Sequence, residues 1–118
     1  MTQSYRDLIV WQKSMQLAKI TYSLTKKLPK EETFSLANQM RRAVISIPSN
    51  IAEGNGRNSK KEYAHFLSVA RGSKSELETQ LLLCIDLKYF QQEEADKALN
   101  LCVEVGKMLN AMISKFRE

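Results

Sequence analysis

The chain has 118 residues, of which 43% are hydrophobic and 26% are charged, and its formal net charge is +5. This length predicts one domain, residues 1–118, with a core large enough to fold without disulfides or a metal ion. No apolar run approaches the roughly 20 residues of a membrane span, and the N-terminus lacks the features of a signal peptide, so we expect a cytoplasmic protein without membrane contact.

The first predicted helix spans about residues 6–27, because apolar residues recur there at spacings of three and four. Leu28-Pro29 ends it, since a residue before proline resists helical backbone angles. The pattern assigns the main apolar face to Leu8, Trp11, Met15, Ala18 and Tyr22, flanked by a second row of Val10, Leu17 and Leu24.

The second predicted helix spans about residues 31–53 and contains Pro48. Proline lacks an amide N–H, so a bend is expected in a continuous helix; the alternative is a helix that stops at Ile47 and restarts. We expect Gly54 and Gly56 to adopt positive φ angles and end this helix. Its apolar seam consists of Leu36, Met40, Ala43, Ile47 and Ile51.

Two further helices are predicted over about residues 59–89 and 92–116. Ser59 and Glu62 form a capping box at the start of the third helix. Gly72 lies within that helix at a cost in helix propensity, which suggests close approach of a neighbouring helix. Short connections favour antiparallel neighbours, so the sequence predicts an all-α, up-down-up-down four-helix bundle.

The third helix also carries five consecutive apolar residues, 81–85. Such a run covers more than one face of a helix and therefore exceeds what a lone four-helix bundle needs to bury. We expect the extra apolar surface, represented by Leu82 and Leu83, to form contacts between subunits.

Several motifs resemble those of the small four helix bundle protein family, whose members are encoded in intervening sequences of bacterial large-subunit ribosomal RNA genes. The matching motifs are Tyr5–Leu8, Val10-Trp11, Arg42-Ala43, Ser46–Pro48, Asn50–Gly54, Arg57, Ala70, Gly72-Ser73 and Glu76–Gln80. The resemblance implies a four-helix bundle that assembles into a homopentameric ring. Resemblance to a more distant relative, the accessory variability determinant of diversity-generating retroelements, implies a protein partner such as a reverse transcriptase.

Polar residues of the same motifs lie on otherwise apolar helices: Ser46, Asn50, Glu53, Ser73 and Glu76. Buried polar groups must find hydrogen-bond partners or cost free energy. We therefore expect a structural polar network in preference to a catalytic role. Ser46 or Asn50 is also a candidate partner for backbone groups left unpaired around Pro48.

The sequence contains no recognisable catalytic constellation. His65 is the only histidine, and Cys84 and Cys102 are the only cysteines, both at apolar helix positions where buried free thiols are expected. Two cysteines alone do not make a tetrahedral zinc site. We expect a protein that is not an enzyme and has no cofactor, metal ion or small-molecule substrate.

The basic excess lies between Gln39 and Lys74, where seven basic residues face only two acidic ones, Glu53 and Glu62. This clustering predicts non-specific binding of RNA or DNA phosphates. The candidate residues are Arg42 and Arg57 from the family motif, and Arg41, Lys60, Lys61, Arg71 and Lys74 from charge placement. In the alternative interpretation these residues form a solvated face with salt bridges, and the protein is a scaffold or adaptor for a protein partner.

Overall fold

The computed structural model describes residues 4–117. They form four α-helices: α1 (Ile9–Thr25), α2 (Leu36–Asn55), α3 (Lys60–Asp86) and α4 (Gln92–Arg117). Single 3₁₀ turns occupy Tyr5–Asp7 and Lys30–Glu32, and this part of the chain contains no strand. The all-α prediction is confirmed. Within the same residues, no helix combines the length and the apolar character that crossing a bilayer requires.

Two helices begin later than the periodicity suggested. The first starts at Ile9 instead of Arg6, because Ser4 caps a separate 3₁₀ turn by accepting a hydrogen bond from the Arg6 amide. The second starts at Leu36 instead of Glu31, because residues 30–32 form another 3₁₀ turn after Pro29. In both places a short turn takes up residues whose composition alone also suits a helix.

Helix α3 begins where the capping box predicted, since the Ser59 hydroxyl accepts a hydrogen bond of 3.1 Å from the Glu62 amide. It ends at Asp86, three residues before the expected Tyr89. Lys88 has a φ angle of 64°, which turns the chain out of the helix. The sequence does not predict this end of the helix, because glycine or asparagine is the usual residue in a left-handed conformation and here the residue is lysine.

The buried face of α1 differs from the predicted one. The core row is Val10, Ser14, Leu17, Thr21 and Leu24, all nearly inaccessible to solvent. The row expected to be the main face is partly exposed: Met15 retains 37% and Tyr22 39% of their accessible surface. Ser14 and Thr21 concealed the core row because they are polar. The buried Ser14 hydroxyl finds a hydrogen-bond partner within its own helix, because it donates to the Val10 carbonyl at 2.7 Å.

The predicted apolar seam of α2 lies in the core, with Leu36 only partly buried. Met40, Ala43, Ile47 and Ile51 of α2 are buried, and Cys102, Val105 and Leu109 of α4 are buried against α3 and α1. Each fully buried aliphatic side chain of this kind contributes about 1.5–3 kcal/mol relative to exposure. Helix α2 is continuous through Pro48, which is itself buried, so the interpretation of two separate helices is wrong.

The glycines have roles other than those predicted. No glycine among residues 4–117 has a positive φ angle, so Gly54 and Gly56 do not end α2 through left-handed conformations. Gly54 instead allows α3 to approach α2, since a Cβ atom there would lie 2.8 Å from the Cβ of Phe66. Among residues 4–117, no other helix comes within 4 Å of such a Cβ at Gly72, so the prediction of a close helix contact there is wrong.

Candidate nucleic-acid interface

Residues from all four helices meet at one end of the bundle. Leu8, Asn55, Tyr63, Met112 and Phe116 line a depression of about 670 Å³ there. Leu8 is the N-cap of α1, and the others come from the end of α2, the start of α3 and the end of α4. We call this region the turn end, because the α2–α3 turn, residues 56–59, belongs to it.

Two aromatic rings join α3 to α4 at the turn end. The rings of Tyr63 and Phe116 are stacked, with centroids 4.6 Å apart and planes inclined by 23°. The Asn55 amide donates a hydrogen bond of 3.2 Å to the Tyr63 hydroxyl. Burial raises the pKa of Tyr63, so the phenol keeps its proton at neutral pH. The stacked pair is therefore held from α2 as well as from its own helices.

Four cationic side chains surround these rings. Lys60 and Lys61 lie in the first turn of α3, and Lys115 and Arg117 in the last turn of α4; all four are exposed. Among residues 4–117 none of them forms a salt bridge. Their positive charges therefore remain available to a ligand.

Lys115 and Arg117 were missed by sequence reasoning. They are more than 50 residues away from the α2–α3 turn, outside the segment where bases outnumber acids. The stacking of Phe116 on Tyr63 brings each of them into a depression that Lys60 also lines. The one usable signal was the pair of bases in the last turn of the fourth helix, read together with the bundle topology.

The positions of Lys60 and Lys61 are unfavourable for the helix that carries them. The N-terminus of an α-helix bears partial positive charge, so acidic residues stabilise it and basic ones do not. Lys60 and Lys61 are the first two residues of α3. Helix stability therefore does not explain why two lysines stand there.

The other predicted basic residues are not all part of this cluster. Arg57 lies at the turn end but pairs with Glu53 at 2.7 Å, and its guanidinium lies 4.7 Å from the centre of the Phe66 ring. Arg71 donates to the Asn110 side chain at 2.9 Å. Of these three arginine contacts, the Arg57–Glu53 ion pair is the one that neutralises a positive charge which a ligand could otherwise use.

Lys74, Arg41 and Arg42 lie away from the turn end. The Lys74 side chain is only 15% exposed and pairs with Glu78 at 3.3 Å. The Arg41 guanidinium lies 5.9 Å from the centre of the Tyr22 ring. Arg42 is exposed and lines a shallow groove between α2 and α3. The structure therefore distributes the seven predicted residues over several faces.

Part of the predicted polar network is present between α2 and α3. The Ser73 hydroxyl donates to the Ser46 hydroxyl at 2.8 Å. The Asn50 amide donates to the Ser46 carbonyl at 2.8 Å and to its hydroxyl at 3.0 Å. Glu53 and Glu76 are both exposed, outside this group. Asn50 thus bonds to the Ser46 carbonyl and not to that of Val44, the carbonyl that Pro48 leaves without its usual donor.

The cysteine and histidine side chains are the groups to consider for covalent chemistry or metal binding. Burial raises the pKa of Cys84 to about 11 and that of Cys102 to about 12, so both thiols stay protonated at neutral pH. His65 is exposed, with its ring edge-on to that of Phe66. Within residues 4–117, no group of three metal-binding side chains comes together.

Leu82 and Leu83 lie at the surface of α3, with 50% and 44% of their area exposed. Val69 of the same helix and Leu87, which directly follows it, are also exposed. These aliphatic side chains leave apolar surface in contact with water.

Comparison with known proteins places the chain in a family. The model of the family described as 23S rRNA-intervening sequence protein matches residues 6–111. The chain is also similar to the crystal structure of a protein with unknown function from the S23 ribosomal protein family of Bacteroides thetaiotaomicron VPI-5482. The TM-score is 0.82 at 29% sequence identity, over 89% of this chain and 98% of the other. A search of curated proteins finds no significant match. The family match confirms the resemblance seen in the motifs, and the chain belongs to the 23S rRNA-intervening sequence protein family.

Proposed function

We propose that this protein is a non-enzymatic, cytoplasmic nucleic-acid-binding protein that holds RNA or DNA by its phosphates without reading sequence. The observation that carries the proposal is the cluster of Lys60, Lys61, Lys115 and Arg117 at the turn end, which has no acidic partner among residues 4–117. The family description links such proteins to 23S rRNA, which makes RNA the first ligand to test.

Binding of this kind has a characteristic dependence on salt. Each neutralised phosphate releases counterions, so the logarithm of the affinity falls linearly with the logarithm of salt concentration. Four contacts per protomer correspond to a slope of roughly −2.8 for single strands and roughly −3.6 for duplex DNA. The partial positive charge at the N-terminus of α3 adds to the attraction.

We further propose that the bundle is antiparallel and assembles into a homopentameric ring, with Leu82 and Leu83 at the contact between subunits. The antiparallel order is supported by two contacts between α3 and α4, Tyr63 with Phe116 and Arg71 with Asn110. The residue number on α3 rises from the first contact to the second, while that on α4 falls. A ring would repeat the cationic cluster and strengthen binding through avidity.

Charge reversal of Lys60 and Lys61 tests the nucleic-acid proposal. We expect the K60E/K61E double variant to bind RNA and duplex DNA at least about tenfold more weakly, with a salt slope shallower by roughly 1.4–1.8. The measurement is fluorescence anisotropy of labelled structured RNA and duplex DNA at several salt concentrations. A K19E/K97E variant is the matched control, because it makes the same change in net charge at exposed lysines outside the turn end.

Helix stability supplies an internal check on this experiment. Glutamates in the first turn of α3 are favourable to the helix dipole by about 0.3–1 kcal/mol each, so K60E/K61E should be at least as stable as the wild type. Weaker binding is then not a consequence of unfolding. Equal binding by the wild type and K60E/K61E, or an equal loss in the K19E/K97E control, would remove the turn end as the binding site.

A second candidate function is a scaffold or adaptor for a protein partner, such as a reverse transcriptase, without nucleic-acid binding of its own. The observation that favours it is an apolar depression of about 340 Å³ between α1 and α2, lined by Trp11, Met15, Ile45 and Pro48 among others. Absence of RNA and DNA binding even at low salt would favour this role over the first.

A further inference from the structure

Phe116 places an aromatic ring among the cations of the turn end. It lines two neighbouring depressions of about 590 and 670 Å³, and Lys60 lines both as well. Volumes of this size fall in the range of roughly 300–1,000 Å³ found for small-ligand sites. Phosphate binding makes no use of an aromatic ring, so a ring among the cations is suited to a ligand that also presents a flat apolar surface.

The ring of Phe116 is held in place by its neighbours. Tyr63 stacks against it at 4.6 Å, and Asn55 in turn fixes the Tyr63 hydroxyl. Phe116 packs against the hydrophobic core and is only partly buried. A side chain that is ordered before the ligand arrives loses little entropy on binding.

Cations lie beside the ring in both depressions. In one depression Phe116 lies with Lys61 and Arg117, and in the other with Lys115. A nucleotide carries both groups that this arrangement matches, an aromatic base and a phosphate. In a duplex, however, both faces of each base are covered by neighbouring bases, so an unpaired base is needed to stack on a side chain.

We propose that the turn end takes unpaired nucleotides of single-stranded nucleic acid, with a base stacked on Phe116 and the flanking phosphates held by Lys60, Lys115 and Arg117. This inference rests on the proposed function and specifies its ligand as single strands, loops or strand ends. Base stacking on an aromatic ring tolerates any base, in agreement with binding that does not read sequence.

The test replaces the ring while leaving every charge in place. For Phe116→Leu we expect affinity for a labelled single-stranded RNA of 15 nucleotides to fall about fivefold or more, the lower end of the contribution of base–aromatic stacking. Affinity for a duplex of the same sequence should change by less than twofold. The salt slope should stay unchanged for both ligands, because stacking releases no counterions.

Two further variants make the experiment specific. Phe116→Tyr keeps the ring and should bind single strands as the wild type does, which separates loss of stacking from general damage at the end of α4. Phe34→Leu is the matched control, because Phe34 is 92% exposed but lies outside the turn end. Thermal unfolding and oligomer mass verify that each variant is folded.

The outcomes separate this inference from the proposed function. Equal losses for single strands and duplex in folded Phe116→Leu, or no loss for either, would overturn the stacking proposal. Binding that still depends on Lys60 and Lys61 would then leave the phosphate-binding function intact. No binding of either ligand by the wild type at low salt would overturn both.

Discussion

Gly54 and Gly72 show how the same residue type serves different purposes in two helices. A Cβ at Gly54 would lie 2.8 Å from the Cβ of Phe66, and both atoms would be fixed to backbones. We therefore expect Gly54→Ala to destabilise the protein by about 1–3 kcal/mol, the usual cost of overpacking. Gly72→Ala should instead stabilise it by up to about 1 kcal/mol, since alanine favours helix and the site is open. Urea unfolding of both variants checks this, and an equal effect of the two would contradict it.

The sequence predicted which residues are buried better than it predicted the structural role of individual residues. Cys84 and Cys102 are buried as expected because their positions follow the apolar period. The close approach at Gly54 was not predictable, since it depends on the side chains of Phe66 and Tyr63 from another helix. Gly72 carries the same propensity cost without any contact that explains it.

At the scale of the elements, Glu32 links the segment before α2 to the segment after α3. Its carboxylate accepts hydrogen bonds from the Ser35 hydroxyl at 2.6 Å and the Tyr89 hydroxyl at 2.7 Å. These bonds hold the pKa of Glu32 below its usual value of 4.5. A lowered pKa means that the ionised carboxylate stabilises the fold above pH 4.5 and that this stabilisation is lost as pH falls through the folded-state pKa.

Tyr89→Phe tests this link between elements. It removes one of the bonds to the Glu32 carboxylate, so we expect a lower Tm than the wild type at pH 7 and a difference that shrinks as the pH approaches 3. Thermal unfolding between pH 7 and pH 3 measures it. Tyr22→Phe is the control, because the Tyr22 hydroxyl forms no hydrogen bond with the residues that the structure describes. A Tm difference that stays constant with pH would show that Glu32 is not the group involved.

Local signals set the elements that the sequence predicted well. Helix α3 starts at the expected place because Ser59 and Glu62 are three residues apart. The start of α2 was predicted too early because residues 30–32 form a 3₁₀ turn, and its Glu32 accepts a hydrogen bond from Tyr89, which is 57 residues away in the sequence. The core face of α1 was assigned to the wrong row because Ser14 and Thr21 break its apolar pattern. Interactions between residues close in the sequence could be predicted, and contacts between residues distant in the sequence could not.

At the scale of the whole molecule, the turn end exists only because the bundle brings α4 back to the start of α3. The sequence placed the basic surface on residues between Arg41 and Lys74, and only Arg57, Lys60 and Lys61 of that set lie at the turn end. Lys115 and Arg117 join them through folding. The charge count along the sequence therefore identified the part of the cluster near the α2–α3 turn, while the part contributed by α4 is visible only in the structure.

The assembly of the molecule gives the last prediction. Leu82 and Leu83 are about half exposed on α3, and their burial between subunits would remove this apolar surface from water. We expect L82D/L83D to lower the particle mass measured by light scattering to that of the 13.5 kDa chain, while circular dichroism retains its helical content. The matched control is S75D/T79D, which makes the same change in net charge at exposed polar positions of the same helix. An unchanged mass in L82D/L83D would show that these leucines lie outside the subunit contact. A monomeric variant should also bind RNA more weakly than the wild type, because it loses the avidity of a repeated turn end.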